Sequence, residues 1–272
     1  MRTSTDSNRF PPGPREGFVS GQPETNLFRL VDLFLEYGDI YKVYSPARGT
    51  HVYVVSDPDQ VKHVLVTNHQ NYTKGVGIDR VKILLGNGIM ASEGDVWRTQ
   101  RRMIQPFFQR HTVAKFCPLM TRCNQNLLGR WEDQAARGEN VNITAAMSEV
   151  TLQIILSAIF SDDLETITDT QGANPFAILT EETARDLQFA RKFRALGKLI
   201  LDLVERRRRE RRLPFDFLSM LMEARDKSTA KPMTERALLD EVMTLIVAGH
   251  ETTASALNWT WYLISQHPEA EA

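Results

Sequence analysis

The sequence predicts a mainly α-helical protein with a small early β-hairpin, and three observations carry that expectation. Apolar residues recur at helical spacing through most of the chain beyond Gly94. β-branched and aromatic residues flank one short turn near the start, Ser-Pro-Ala-Arg-Gly-Thr at positions 45 to 50. The 272 residues, 42% of them apolar, are enough to bury a sizeable core.

Residues 1–24 are polar and rich in Pro and Gly, which predicts an extended arm laid over the surface; residues 25–272 are expected to form the folded domain. "NLFRLVDLFLEYG" places a helix that stops at Gly38. "DIYKVYSPARGTHVYVV" then reads as the hairpin. Asp57 is positioned to cap the next helix, with Pro58 at its first residue. Residues 72–94 carry several glycines and read as a loop. Beyond it, "DVWRTQRRMIQPFF" (with Asp95 as its cap), "VAKFCPLMTRCNQNLLGRWEDQAARG", "ITAAMSEVTLQIILSAIF", "FARKFRALGKLILDLVERRRRERR" and "FDFLSMLMEARD" all read as helices.

The last helix opens at a capping Thr234 and ends at His267, where Pro268 stops it. At about 1.5 Å per residue it is close to 50 Å long, so it should cross a whole domain and place Gly249 to Thr253 deep inside. A net charge of −1 gives no reason to expect a nucleic acid or an acidic membrane as partner. The run Arg206 to Arg212, interrupted by Glu210, is expected to be a solvated helix end; a membrane-surface role for it ranks last among the readings. Cys117 and Cys123, six positions apart, lack metal-ligand spacing and read as structural thiols of a reducing compartment. The start has no signal-peptide core and no run reaches membrane-spanning length, which predicts a cytoplasmic protein without a membrane anchor.

Two groups of residues point to chemistry. In "LIVAGHETTASAL", Ala248, Thr252 and Ala256 fall on one helical stripe flanked by Gly249 and Thr253, so one face has almost no bulk. Either a neighbouring helix packs closely there or something flat lies against it. Glu251 favours the second, because a carboxylate in an apolar helix is costly unless paired or working. Thr252 can bond back to the carbonyl of Ala248 and loosen a helix already weakened by Gly249. An acid beside a hydroxyl at such a turn suits a proton relay. His250 and Glu251 also begin the zinc motif His-Glu-x-x-His, but position 254 is Ala, so no metal site is predicted. In the second group, Trp97 and Arg101 share a face at i, i+4 and offer an indole N–H beside a guanidinium, a pair suited to a carboxylate; Arg98 and Arg102 add positive potential.

Together these motifs resemble the cytochrome P-450 superfamily, the haem-thiolate monooxygenases. "AGHETT" at Ala248 to Thr253 is similar to the family's Ala/Gly-Gly-x-Asp/Glu-Thr-Thr/Ser signature, and Trp97-x-x-x-Arg101 to its Trp-x-x-x-Arg motif. The resemblance implies a haem b (iron protoporphyrin) cofactor held at a propionate by Trp97 and Arg101. Ala248 and Gly249 would line the oxygen pocket, and Glu251 and Thr252 would deliver protons. It further implies O2, a lipophilic small-molecule substrate and a redox partner such as a ferredoxin or reductase. The Pro-rich start without an anchor is read as the bacterial form, and "VKILLGNGIM" as a hydrophobic pocket wall.

The family's axial cysteine lies in a Phe-x-x-Gly-x-x-x-Cys-x-Gly loop downstream of the point where this chain stops, at Ala272. The expectation is therefore a carboxy-terminally truncated P-450-like fold with an incomplete haem site, inactive by itself. The segment between Ala158 and Lys192, where the family places substrate-covering helices, reads as short. The alternative is a non-catalytic helical binding or scaffold protein derived from such an enzyme.

Overall fold

The computed structural model describes residues 10–16, 23–75, 77–169, 174–179 and 187–271. Its contacts divide into two compact units, Met1–Thr73 and Lys74–Ala272, so the division by contacts falls after the hairpin, not at residue 24 where the composition changes.

In the first unit, helix α1 (Pro23–Tyr37) ends at Gly38, whose φ of 84° is the left-handed conformation that glycine adopts without strain. Strands β1 (Ile40–Ser45) and β2 (Thr50–Val55) pair antiparallel, Ile40 opposite Val55 and Ser45 opposite Thr50. Leu33 of α1 and Tyr41 and Val43 of β1 form a small core, closed by a hydrogen bond from Tyr41 Oη to the carbonyl of Leu30, 3.0 Å. Lys42 N donates to the carbonyl of Pro12 at 2.8 Å, and a Cβ at Gly13 would lie 1.9 Å from Lys42 O, a close approach that only glycine permits. Residues 1–9 and 17–22 lie outside the described residues. Helix α2 (Pro58–Lys62) is capped by Asp57, which accepts from Gln60 N, and runs into a π-helical turn at His63–Thr67.

In the second unit the helices follow the apolar periodicity: α4 (Gly94–Ile104), α5 (Arg110–Ala114), α6 (Cys117–Ala136), α7 (Ile143–Phe160), α8 (Asp163–Asp169), α9 (Leu187–Glu210), α10 (Phe217–Glu223), α11 (Glu235–Gln266) and α12 (Pro268–Glu271). The stretch read as loop also contains a helix, α3 (Gly77–Leu85), whose Leu85 enters the core while Ile83 stays exposed. The predicted pocket wall in this stretch is thus partly core and partly surface. Thr234 caps α11 through a bond from Ala237 N at 3.1 Å, as expected, and α11 continues unbroken to Gln266. Helix α7, contrary to expectation, is long and apolar enough to cross a membrane by length and composition. Here it is a core helix, with Leu152, Leu156, Ile159 and Phe160 in one cluster with Leu238, Val242 and Ile246 of α11 and Leu196 and Ile200 of α9. Of the segment read as a shortened lid, α8 and Asn174–Leu179 are described; residues 170–173 and 180–186 lie outside the described residues.

The arginine run is a solvated helix end only in part: Arg208, Arg209 and Arg211 are exposed, but Arg207 is not. Arg207 is fully buried and uses all five N–H donors: Nε to Asp163 at 2.7 Å, Nη1 to Asp216 at 2.8 Å and Ser219 at 2.9 Å, Nη2 to Asp216 at 2.7 Å and the Phe160 carbonyl at 2.9 Å. Arg206 and Arg212 also bind Asp163, and Arg208 pairs with Glu235. Burial pushes Asp163 up, but hydrogen bonds from Arg207 and Arg212 outweigh it and hold the carboxyl below its usual value. Asp216 in turn caps α10 through Ser219 N at 2.8 Å. Acids of α8, of the α10 cap and of α11 thus engage Arg206, Arg207, Arg208 and Arg212, while Arg209 and Arg211 face solvent. Arg207→Ala, which leaves the buried Asp216 without its cation and Asp163 with only Arg206 and Arg212, is expected to cost about 3–5 kcal/mol in urea unfolding, whereas Arg209→Ala at an exposed position should stay within about 0.5 kcal/mol.

Candidate functional site

The sequence expected one buried small-residue stripe on α11; the structure divides it between two faces. Gly249 faces α7, where a Cβ would lie 2.8 Å from Ile155 Cδ1, so its missing side chain serves close helix packing. His250 is buried on the same interface, with Nε2 3.0 Å from Ser148 Oγ of α7. Burial holds the His250 pKa below its ordinary value, with Glu251 opposing. Ala248, Glu251, Thr252, Thr253 and Ala256 lie on the other side and are exposed. The predicted depth of Gly249 to Thr253 is therefore corrected: His250 is deep, and the Ala248–Thr252–Ala256 strip is uncovered within the described residues. Thr252 Oγ1 donates to the Ala248 carbonyl at 2.8 Å, as anticipated, without interrupting the helix.

On α4, Gln100, Met103 and Ile104 point inward, which leaves Trp97 half-buried and Arg101 exposed. Neither has a hydrogen-bond or ion-pair partner among the described residues, so the indole N–H and the guanidinium are available together. Arg98 is spent on Asp95 at 2.6 Å and adds no free charge, and Asp95 sits in the first turn rather than at the cap, which is Glu93. The two unpartnered donors on α4 could pair with a carboxylate, and the strip on α11 is bare enough for a flat group to rest on. An iron ligand is a separate matter. No grouping of three His, Cys, Asp or Glu suited to a metal occurs among the described residues. Cys117 is exposed, and burial pushes the Cys123 thiol up, away from the thiolate that iron requires.

A model of the family described as Cytochrome P450 matches residues 11–191 and 173–272. The chain belongs to the cytochrome P450 family. Protein LUTEIN DEFICIENT 5, chloroplastic, of Arabidopsis thaliana is 28% identical over 89% of this chain and 45% of its own length. Cyclooctat-9-en-7-ol 5-monooxygenase of Streptomyces melanosporofaciens is 28% identical over 86% of the chain and 53% of its own. The chain thus spans about half the length of these P450 relatives. The crystal structure of the cytochrome P450DA heme domain superposes with a TM-score of 0.77 at 21% identity, covering 96% of this chain and 61% of that one, which establishes the P450 fold.

Sequence reasoning missed a second acidic position on α11. Asp240 and Glu241 are buried, and their carboxylates accept from the backbone N–H of Asn87 (2.8 Å) and Ile89 (3.0 Å). Glu241 Oε1 has no partner among the described residues. Burial, reinforced by Asp240 and opposed by the Ile89 N–H, raises the Glu241 pKa from 4.5 to about 7. The signal was in "LLDEVMTLIV": the argument that a carboxylate in an apolar helix must be paired or working applies to Glu241, which is buried, more strongly than to Glu251, which is exposed. The largest cleft among those described, about 690 Å3 between α6 and α7 and lined by Leu119, Cys123, Glu149 and Leu156 among others, contains none of the candidate residues.

Because the folded chain retains the Glu241 proton that the unfolded chain releases, the associated stability is complete below about pH 4.5 and is lost as pH rises through about 7. Urea unfolding across that window should show a decline of about 3 kcal/mol in the parent that Glu241→Gln removes. His250 acts in the opposite sense, since its lowered pKa withdraws stability as pH falls.

Proposed function

We propose that this chain forms the haem- and oxygen-handling part of a monooxygenase that inserts one oxygen atom from O2 into a lipophilic substrate, with electrons from a redox partner such as a ferredoxin or reductase. The observation that carries the reading is the uncovered Ala248–Thr252–Ala256 strip of α11 in a chain of the P450 family. The Streptomyces relative, named as a monooxygenase of cyclooctat-9-en-7-ol, supports the reaction type and a lipophilic substrate class.

Trp97 and Arg101 would hold haem by donating to a propionate, a charge-assisted contact that also orients the macrocycle. Bound haem would supply oxygen activation and electron storage. The small side chains at Ala248 and Ala256 leave a flat surface on which a planar group can rest, with Thr252 on the same strip. The Thr252 hydroxyl hydrogen is engaged by the Ala248 carbonyl at 2.8 Å, so its oxygen lone pairs are the outward-facing acceptor; rotation of the hydroxyl turns the same group into a donor. That exchange is what a proton relay requires of an alcohol. Glu251, exposed and next in sequence, can take up a proton from solvent and pass it along the same edge of the helix. Gly249, turned to α7, contributes helix packing, so the pocket role falls to Ala248.

Titration of haemin onto the chain, followed by absorbance, tests the first half of this reading. Arg101→Ala should weaken retention roughly ten- to a hundredfold while leaving the haem-free melting temperature unchanged. Equal retention in variant and parent would make Arg101 an ordinary surface residue. In the whole enzyme, Thr252→Ala should leave haem binding intact and divert reducing equivalents to peroxide, measured as product formed per electron consumed. Unchanged coupling would remove Thr252 from proton delivery.

A further inference from the structure

The loop Gly86–Ser92 joins α3 to the α4 segment and is held from three sides. On the α11 side, Asn87 N donates to Asp240 at 2.8 Å and Ile89 N to Glu241 at 3.0 Å. There is no slack between loop and helix: a Cβ at Gly86 would lie 2.0 Å from Asp240 Oδ1, and one at Gly88 2.4 Å from Thr244 Oγ1. On the α4 side, the buried Gln100 donates to the Asn87 carbonyl at 2.9 Å and accepts from the Ser92 hydroxyl. On the third side, Lys74 Nζ donates to the carbonyls of Met90 at 2.7 Å and Ser92 at 2.8 Å. Asn87 is thus bonded through its N–H to α11 and through its carbonyl to α4. Gln100 is adjacent to Arg101 and one helical turn from Trp97, so the rotation of α4 about its axis is fixed where those two donors project.

We infer that Glu241 is a positioning residue that sets the orientation of the Trp97–Arg101 face of α4 relative to α11, acting through the Gly86–Ser92 loop and Gln100. A solely structural clamp would be fully satisfied, yet Glu241 Oε1 is buried without a partner among the described residues. The charged groups around it do not neutralise it. Asp240, beside it on α11, repels it; Arg236 is taken by Asp240 at 3.0 Å; and the Lys74 ammonium is spent on loop carbonyls. The clamp therefore holds as the neutral acid. Loss of the proton leaves a buried charge that is relieved by lifting the loop into solvent, which frees α4.

The consequence for haem rests on the function proposed above, but the coupling is measurable without haem, so the two can fail separately. Amide hydrogen exchange of the haem-free chain, read by mass spectrometry peptide by peptide, is the test. Glu241→Ala should accelerate exchange in the Gly94–Ile104 peptide by about tenfold or more, while peptides around Leu196–Leu221 are unchanged. Glu241→Gln, whose side-chain carbonyl still accepts from Ile89 N, should restore it to within about twofold of the parent. In the parent, protection of α4 should fall from about pH 6 to about pH 8; in Glu241→Gln it should not. A uniform acceleration across all peptides, failure of rescue by Gln, or the same pH profile in both proteins would overturn the inference. Should Glu241→Ala fail to fold, Gln100→Ala decides: loosening of α4 with protection kept at Ile89 supports it, and no change in α4 refutes it.

Discussion

The missing side chain at Gly249 sets how closely α11 and α7 can lie, and much of the second unit follows from that approach. With Ile155 seated against the glycine and His250 beside Ser148 on the same interface, α11 turns one side to α7 and α9 and the opposite side outward. A Cβ at position 249 would push at the Ile155 side chain, which packs half-buried against the largest core cluster. The outward strip of Ala248, Thr252 and Ala256 is thus a by-product of helix packing and the surface on which the proposed chemistry depends.

The unit treats two of its fully buried ionisable groups in opposite ways. Arg207 is locked by five hydrogen bonds, to Asp163 of α8, to Asp216 and Ser219 at the start of α10 and to the Phe160 carbonyl, and it remains charged because Asp216 and Asp163 outweigh the burial that opposes the charge. Glu241 has one bond and one orphan oxygen, and burial favours its neutral form. The first fixes a corner; the second leaves a joint whose strength depends on a proton. That contrast places adjustability beside α4, away from the corner formed by α8, α9 and α10.

The helix caps at Asp57 and Thr234, the hairpin and the stop at Gly38 were legible because each is encoded within a few residues. Helix α3 was hidden by the glycines around it, which punctuate the segment more strongly than its short apolar pattern. The Arg206–Arg212 run was misread because periodicity gives the face of a residue and not what arrives there. Asp163 lies 44 residues before Arg207, and Asp216, nine residues after it, follows the end of the helix; the two converge on Arg207 only in the fold. Both family motifs fall on helices, as expected, while the division of the AGHETT segment into a packed and an open side required the neighbouring helix. The importance of Glu241 depends on a loop that approaches from more than a hundred residues upstream.

Helix α7 shows how synthesis constrains this architecture. Its eighteen residues form an apolar segment of membrane-spanning length, and the helix that buries its inner face, α11, is translated only after α8, α9 and α10. At ordinary elongation rates that inner face waits some seconds for its partner, although α6, made earlier, can already pack Cys123 and Leu127 against Met147 and Val150 on the other side. The order of helices therefore leaves Ile143–Phe160 covered on one side only until the later helices emerge.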